Sequence, residues 1–267
     1  MPLPASGHVL GIDVGYSTKR RSSAACRLSW RDNRFDWHIE RFRYEPSERR
    51  ETITRVAGQN NIMAVALDGP VCGDLVEINK YRIAEKLLTV GLAKLIGKPG
   101  QSNAPVGRKL NTATNEAALC VLELNILADA NHSKRIHDKA ILEAFPSSFM
   151  GLMLPVAAEL NGRRNKKSDR YFEALSADKK FNRLLECLAP NGSFDPDPAA
   201  ITNHDDRAAF VCALTALCVC AGKYTAVGDE NGWIVLPPRA CIIRKYWELL
   251  EQNAKNEKKR ALFCCSS

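Results

Sequence analysis

The sequence predicts an α/β protein with a mixed five-stranded sheet and helices on both faces. Three strand-like segments come first with only short turns between them, as in an antiparallel meander. Strand-like segments then alternate with segments of helical periodicity, a pattern typical of parallel strands joined by helices. A mainly helical stretch at about 150–202 is predicted to be an insertion in this single domain.

The meander is predicted from three segments. Val9–Val14 is a continuous apolar run that ends at Gly15, as expected of a strand buried on both faces and followed by a tight turn. Ser23–Ser29 and Phe35–Phe42 alternate partly between apolar and polar residues. The polar segment 31–34 between them predicts a hairpin.

The next part of the chain predicts two more strands and three helices. Ser47 and a charged first turn predict a helix start, and apolar residues at helical spacing predict the longer helices. In chain order the segments are a helix at Ser47–Gln59, a strand at Ile62–Leu67, helices at Asn79–Ile96 and Thr112–Ala130, and a strand at Lys139–Phe145.

The last part predicts three helices and a short strand. The segments are a charged helical region at Asp169–Leu188, an apolar helix at Asp205–Gly222, a loop at Tyr224–Gly232, a strand at Trp233–Leu236 and a helix at Ile243–Glu251. The single domain is predicted to cover residues 1–253, and residues 254–267 are predicted to form a basic, flexible C-terminal tail.

Composition narrows the classes of function. The chain has 38 Lys and Arg against 30 Asp and Glu, a formal charge of +8, which favours a polyanionic partner such as nucleic acid. It has no apolar stretch of roughly 18 residues and no charged leader, so we expect a cytoplasmic protein without a membrane partner. The ten cysteines include no CxxC pair, which argues against a zinc site.

Carboxylates in apolar surroundings are the strongest functional signal. Asp13, Asp68 and Glu143 lie in or at the end of apolar runs, and the pair Asp205 and Asp206 begins an apolar helix. A buried acid without a partner costs several kcal/mol, roughly, and a divalent cation would remove the repulsion between converging carboxylates. Hard oxygen ligands suit Mg²⁺ or Mn²⁺, so we predict that these five acids are metal ligands and catalytic residues.

The carboxylates occur within motifs that resemble a known family. GIDVGYST, AVALDGPV, ILEAFPSSF and YTAVGDENGWIVLPP are similar to the ordered motifs of a bacterial and archaeal family of predicted RNase H-like nucleases. The resemblance runs over nearly the whole chain and is weakest at Pro155–Thr202. It implies an RNase H-like fold and metal-dependent hydrolysis of phosphodiester bonds, with acids on the first, fourth and fifth strands and on the last core helix.

Three acids of this chain match the family positions on the strands, namely Asp13, Asp68 and Glu143. The family position on the helix is matched only in part. Related nucleases often carry DxxDA there, and in this chain Asp205 matches the first acid while Ala208 replaces the second. Asp206 is the alternative ligand, so the choice between Asp205 and Asp206 stays open.

Basic residues near these motifs are candidate phosphate contacts. They flank the loop rich in glycine and proline or belong to the basic run in the insertion: Lys80, Arg82, Lys86, Arg108, Lys109, Arg163, Arg164, Lys166 and Lys167.

Two other functions compete with the nuclease. Loss of an acid at Ala208 favours a degenerate RNase H-like module that binds nucleic acid or protein without cleaving it. The GIDVGYST motif also resembles the phosphate-binding turn of actin-like and sugar-kinase-like ATPases, where Gly15, Ser17 and Thr18 would contact ATP. Those enzymes need a second, duplicated domain, which this length does not provide.

Overall fold

The structure is a computed structural model that describes residues 3–59, 61–71, 82–96, 104–128, 136–155, 157, 159–160, 167–257 and 261–266. Within these residues a mixed sheet of nine strands is covered by helices on both faces, so the broad α/β class is confirmed and the count of five strands is corrected. No helix in the described ranges is long and apolar enough to cross a membrane.

The strands are β1 (Ser6–Asp13), β2 (Ser23–Arg31), β3 (Arg34–Phe42), β4 (Ile62–Asp68), β5 (Ile141–Ala144), β6 (Ser193–Phe194), β7 (Lys223–Asp229), β8 (Gly232–Leu236) and β9 (Leu262–Ser266). The helices are α1 (Pro46–Ala57), α2 (Ile83–Leu87), α3 (Ala93–Ile96), α4 (Pro105–Glu123), α5 (Pro146–Leu152), α6 (Lys167–Ala177), α7 (Lys180–Leu188), α8 (His204–Cys220) and α9 (Arg244–Asn256).

The strands follow the order β6-β3-β2-β1-β4-β5-β8-β7-β9 across the sheet. β1, β2 and β3 form the antiparallel meander, and β4, β5 and β8 continue from β1 in parallel. The carboxyl ends of β1, β4 and β5 therefore meet at one edge of the sheet, where the ligand crevice of an open α/β sheet normally lies.

Two helix layers cover the sheet. After its charged first turn, α8 is apolar on every side and lies across β1, β2 and β4, so it is buried between the sheet and the helices α5, α6 and α7. Its close approach to the sheet depends on Gly11, where a methyl group would collide with the backbone of Ala209 and Ala213. On the opposite face, α1 and α4 pack against Leu10, Ile12 and Leu67.

The C-terminal part of the chain differs from its prediction. The segment expected to be a loop at Tyr224–Gly232 contains β7, which forms a hairpin with β8 in which Asp229 pairs with Gly232. The predicted tail at 254–267 is corrected for its described residues, because α9 runs to Asn256 and β9 (Leu262–Ser266) pairs with β7 along the sheet edge. The Tyr224 and Phe263 rings, 5.9 Å apart, pack across these two strands.

Candidate active site

Asp13 and Asp68 form the centre of the candidate site. They are register partners at the carboxyl ends of the parallel strands β1 and β4. Side chains of such partners point to the same side of a sheet, and here that side is the α8 face, as the packing of Ala66 against the α8 cluster shows. The sequence-based expectation that these two acids converge agrees with this geometry.

Both carboxylates line a cavity of about 80 Å³ between the sheet edge and α8. The cavity is also lined by the first turn of α8, by the start of α5 and by the start of α6, through His204, Arg207, Ala208, Pro146, Ser147, Met150, Ser168 and Asp169. A water molecule needs roughly 10–15 Å³ of such space, so the cavity has room for several.

Asp13 and Asp68 have raised pKa values in this cavity. Burial raises the pKa of Asp13 well above its ordinary value, and the carboxylates of Asp68, Asp205 and Asp206 raise it further. Burial and the charge of Glu143 raise the pKa of Asp68 to about 7, although His204 opposes the shift. Neither the Asp13 nor the Asp68 carboxylate has a hydrogen bond or ion pair with another residue in the described ranges.

The first turn of α8 brings Asp205 and Asp206 to the same edge. Asn203 caps this helix, because its side-chain oxygen accepts hydrogen bonds from the backbone N–H groups of Asp205 at 2.9 Å and Asp206 at 3.4 Å. Asp206 faces β3, where its Oδ1 lies 3.5 Å from Nε of Arg41. That oxygen is buried and has no hydrogen bond within the described part of the chain.

Ala208 occupies the helix position that faces the cavity beside His204 and Arg207. Residues 204 and 208 are one helical turn apart and so share a face. A methyl group therefore stands at the cavity-facing position where the sequence-based comparison expected a second acid.

Glu143 does not join the other acids. In the register of β4 and β5, Glu143 pairs with Leu67, whereas Asp68 pairs with Ala144. Because successive side chains alternate between faces, Glu143 points to the face opposite Asp13 and Asp68. The prediction that all three strand acids converge on one metal is therefore corrected for Glu143. It lies one position before Ala144, the register partner of Asp68, and so points to the other face.

Glu143 is instead held by a buried arginine. Arg82 Nη1 and Nη2 donate to the two carboxylate oxygens of Glu143 at 2.5 and 2.7 Å, and Arg82 Nε donates to Glu85 at 2.9 Å. The backbone N–H of Val71 adds a hydrogen bond of 3.1 Å to Glu143. Burial disfavours the Arg82 cation, but the Glu143 and Glu85 carboxylates outweigh this and raise its pKa, so it stays charged.

The other predicted phosphate contacts are distributed unevenly. The prediction that Arg82 contacts phosphate is corrected, because this side chain is buried with Glu143 and is not available to a phosphate. Lys86, Arg108 and Lys109 are exposed on α2 and α4. Lys167 begins α6, where its Nζ lies 5.7 Å from the centre of the Tyr171 ring. The remaining candidates, Lys80, Arg163, Arg164 and Lys166, lie outside the described residues.

The pair of His204 and Asp169 was not predicted from the sequence. His204 Nδ1 and Asp169 Oδ1 are 3.0 Å apart, and Arg207 Nη1 lies 3.3 Å from the same oxygen. Both His204 and Asp169 line the cavity of Asp13 and Asp68. Asp169 comes from the helical insertion, 35 residues away along the chain, so no local motif links it to His204.

The residues fit a hydrated Mg²⁺ or Mn²⁺ rather than a cation enclosed by protein ligands. In the described ranges, no group of three or more His, Cys, Asp or Glu side chains is arranged to hold a metal ion. Mg²⁺ is commonly bound through one or two carboxylates, with water and substrate phosphates completing its coordination. Asp13 and Asp68, which face the cavity and have no side-chain partner in the described part of the chain, could provide such a pair.

The chain matches no protein-family model, and no curated protein or solved structure is significantly similar to it. The assignment of a function therefore depends on the geometry of the site.

Proposed function

We propose that the chain is an RNase H-like, divalent-metal-dependent nuclease that hydrolyses phosphodiester bonds at the edge formed by β1, β4 and the start of α8. The observation that carries this proposal is the register pair of Asp13 and Asp68, two half-buried carboxylates that face one cavity and have no side-chain partner among the described residues. The order β3-β2-β1-β4-β5, an antiparallel meander continued by parallel strands, supports the fold assignment.

Asp13 and Asp68 are the proposed ligands of the metal, and Asp205 adds negative charge from the first turn of α8. The chemistry supplied by bound Mg²⁺ or Mn²⁺ is stabilisation of charge on the phosphodiester and a lower pKa of a bound water. Asp169 orients the imidazole of His204 toward the same cavity, where the ring can hold or transfer a proton.

Positive charge around the acids supports a polyanionic substrate. Cations surround this sheet edge on the loop 14–22, at the end of β3 and at the start of α4; they are Lys19, Arg20, Arg21, Arg41, Arg43, Arg108 and Lys109. Some of them are paired with acids, as Arg21 and Arg43 are with Glu48. The surplus of eight positive charges over the whole chain favours binding of phosphates through counterion release.

The test is a cleavage assay on single-stranded, duplex, branched and hybrid nucleic acids with Mg²⁺ or Mn²⁺. Asp13→Asn and Asp68→Asn should each reduce cleavage by roughly 10²-fold or more, as expected when a group that stabilises developing charge is lost. Asp178→Asn is the matched control, because Asp178 is exposed and remote from the cavity. Cleavage that persists in Asp68→Asn, or no cleavage of any substrate, would contradict the proposal.

A catalytically degenerate binding module is the second candidate, and Ala208 on the cavity wall is the observation that favours it. This candidate predicts nucleic-acid binding without turnover, and Ala208→Asp would then be expected to create or increase metal-dependent cleavage. An ATP-binding phosphotransferase is less well supported, because the backbone N–H of Gly15 is already bound to Ser23 Oγ at 2.9 Å. Such an enzyme would hydrolyse ATP in the same assay.

A further inference from the structure

Tyr16 is an exposed aromatic residue close to the candidate site. Its side chain is on the loop that joins β1 to β2, three residues after Asp13. It is 46% exposed, and among the large apolar side chains that are exposed in the described ranges it is the one aromatic. Its ring makes no aromatic or cation–π contact with another described residue.

The backbone on both sides of Tyr16 is held firmly. Ser23 Oγ accepts a hydrogen bond from the Gly15 N–H at 2.9 Å and donates to the Gly15 carbonyl at 3.2 Å. On the other side, the Ser17 carbonyl accepts from the Tyr44 N–H at 2.9 Å. Because both neighbours are bound to the end of the sheet, the loop fixes the backbone from which the Tyr16 ring extends into solvent.

The surroundings of Tyr16 are basic and close to the acids. The same loop carries Lys19, Arg20 and Arg21, all exposed. Three residues of chain span at most about 11 Å, so the Cα of Tyr16 lies within that distance of the Cα of Asp13. An exposed ring beside exposed cations is the combination with which proteins bind single-stranded nucleic acid, through base stacking and phosphate contacts.

We propose that Tyr16 is a stacking platform for an unpaired nucleobase of the substrate, next to the phosphate that a metal ion on Asp13 and Asp68 would bind. This inference rests on the proposed nuclease function and specifies its substrate: a nucleic-acid strand with at least one unstacked base beside the cleavage site, such as a single strand, a branch or a frayed end. A continuous duplex offers no such base, so it should bind more weakly than a single strand of the same length.

The test measures binding, not cleavage. In an Asp68→Asn background with Mg²⁺ present, fluorescence anisotropy with a labelled single-stranded oligonucleotide gives the dissociation constant. Tyr16→Ala should weaken binding by roughly 5- to 150-fold, the range for loss of one base–aromatic stack, and Tyr16→Phe should restore it. Leu119→Ala, which truncates a side chain of similar exposure on α4, is the matched control and should bind like the Asp68→Asn parent.

A second measurement identifies the partner of the ring. The oligonucleotide is remade with an abasic site at each position in turn, in DNA and in RNA. One abasic position should weaken binding to the parent but leave binding to Tyr16→Ala unchanged, because the stack is already lost there.

The outcomes separate the two proposals. Equal losses at every abasic position in the parent and in Tyr16→Ala, or unchanged affinity in Tyr16→Ala, would overturn the stacking role while leaving the nuclease in place if Asp68→Asn still abolishes cleavage. Absence of nucleic-acid binding by the Asp68→Asn parent would overturn the stacking role, whereas the nuclease is decided separately by cleavage with the unaltered chain.

Discussion

Arg82 donates hydrogen bonds to both carboxylate oxygens of Glu143, at 2.5 and 2.7 Å, on the face of the sheet opposite Asp13 and Asp68. The two residues are 61 positions apart in the chain, and both are buried. With Glu85 they form a cluster of one cation and two acids. This arrangement gives Glu143 a structural partner, so a metal is not needed to explain an acid inside an apolar strand.

Removal of Arg82 should destabilise the protein more than removal of Glu143. Arg82→Met leaves the buried Glu143 carboxylate without its cation and should cost about 3–5 kcal/mol, whereas Glu143→Gln leaves the ion pair of Arg82 with Glu85 intact and should cost less. Urea unfolding of both variants measures the difference. If Glu143→Gln instead kept full stability and lost metal binding, Glu143 would be a ligand as the sequence motif suggested.

Metal binding should stabilise the folded protein through Asp13 and Asp68. A ligand that binds only the native state at 100 times its dissociation constant adds about 2.7 kcal/mol. Thermal unfolding should therefore shift upward by several degrees with saturating Mn²⁺ in the parent and in Asp178→Asn. The double variant Asp13→Asn, Asp68→Asn should show no shift, and an unchanged shift in this variant would place the metal elsewhere.

Stability without metal should fall as pH rises from about 4 to about 7. The pKa of Asp68 is raised from 3.8 to about 7 in the folded state, so over this interval the unfolded chain has released a proton that the native state retains. The stabilisation is complete below the unfolded pKa and is lost as pH passes the folded one. The unfolding free energy of the parent minus that of Asp68→Asn, measured in chelator across this range, should decrease as pH rises. A difference that is independent of pH would contradict the assignment.

The contact of β1 with α8 should tolerate no side chain at Gly11. A methyl group there would meet the backbone oxygen of Ala209 and the backbone nitrogen of Ala213, so Gly11→Ala must displace the helix that carries Asp205. We expect a loss of about 1–3 kcal/mol in unfolding free energy together with weaker Mn²⁺ binding.

Gly91→Ala is the control for this substitution. Its φ of +70° adds backbone strain, but the added methyl would meet only Leu249 at 3.5 Å. Equal effects of the two substitutions on Mn²⁺ binding would show that the position of α8 does not matter to the site.

Local patterns were sufficient for most of the sheet. The apolar runs at Val9–Val14 and Ile62–Leu67 are continuous because both strands are buried on both faces, and this property is visible without any contact. The hairpin of β7 and β8 was hidden, because the turn residues near Gly228 and Gly232 suggested a longer loop than the two residues between Asp229 and Gly232. The edge strand β9 depends on pairing with β7, which no local pattern reveals.

The sequence by itself determined that Asp13 and Asp68 end apolar strands, because strand ends and their terminal acids are local features. Tertiary structure decided which acids share a face. The register of β5 places Glu143 on the opposite face, where it binds Arg82, since a shift of one residue reverses every side chain of a strand. The tertiary structure also places Asp169 beside His204 and leaves Tyr16 exposed to solvent, because both depend on contacts between segments distant in the chain.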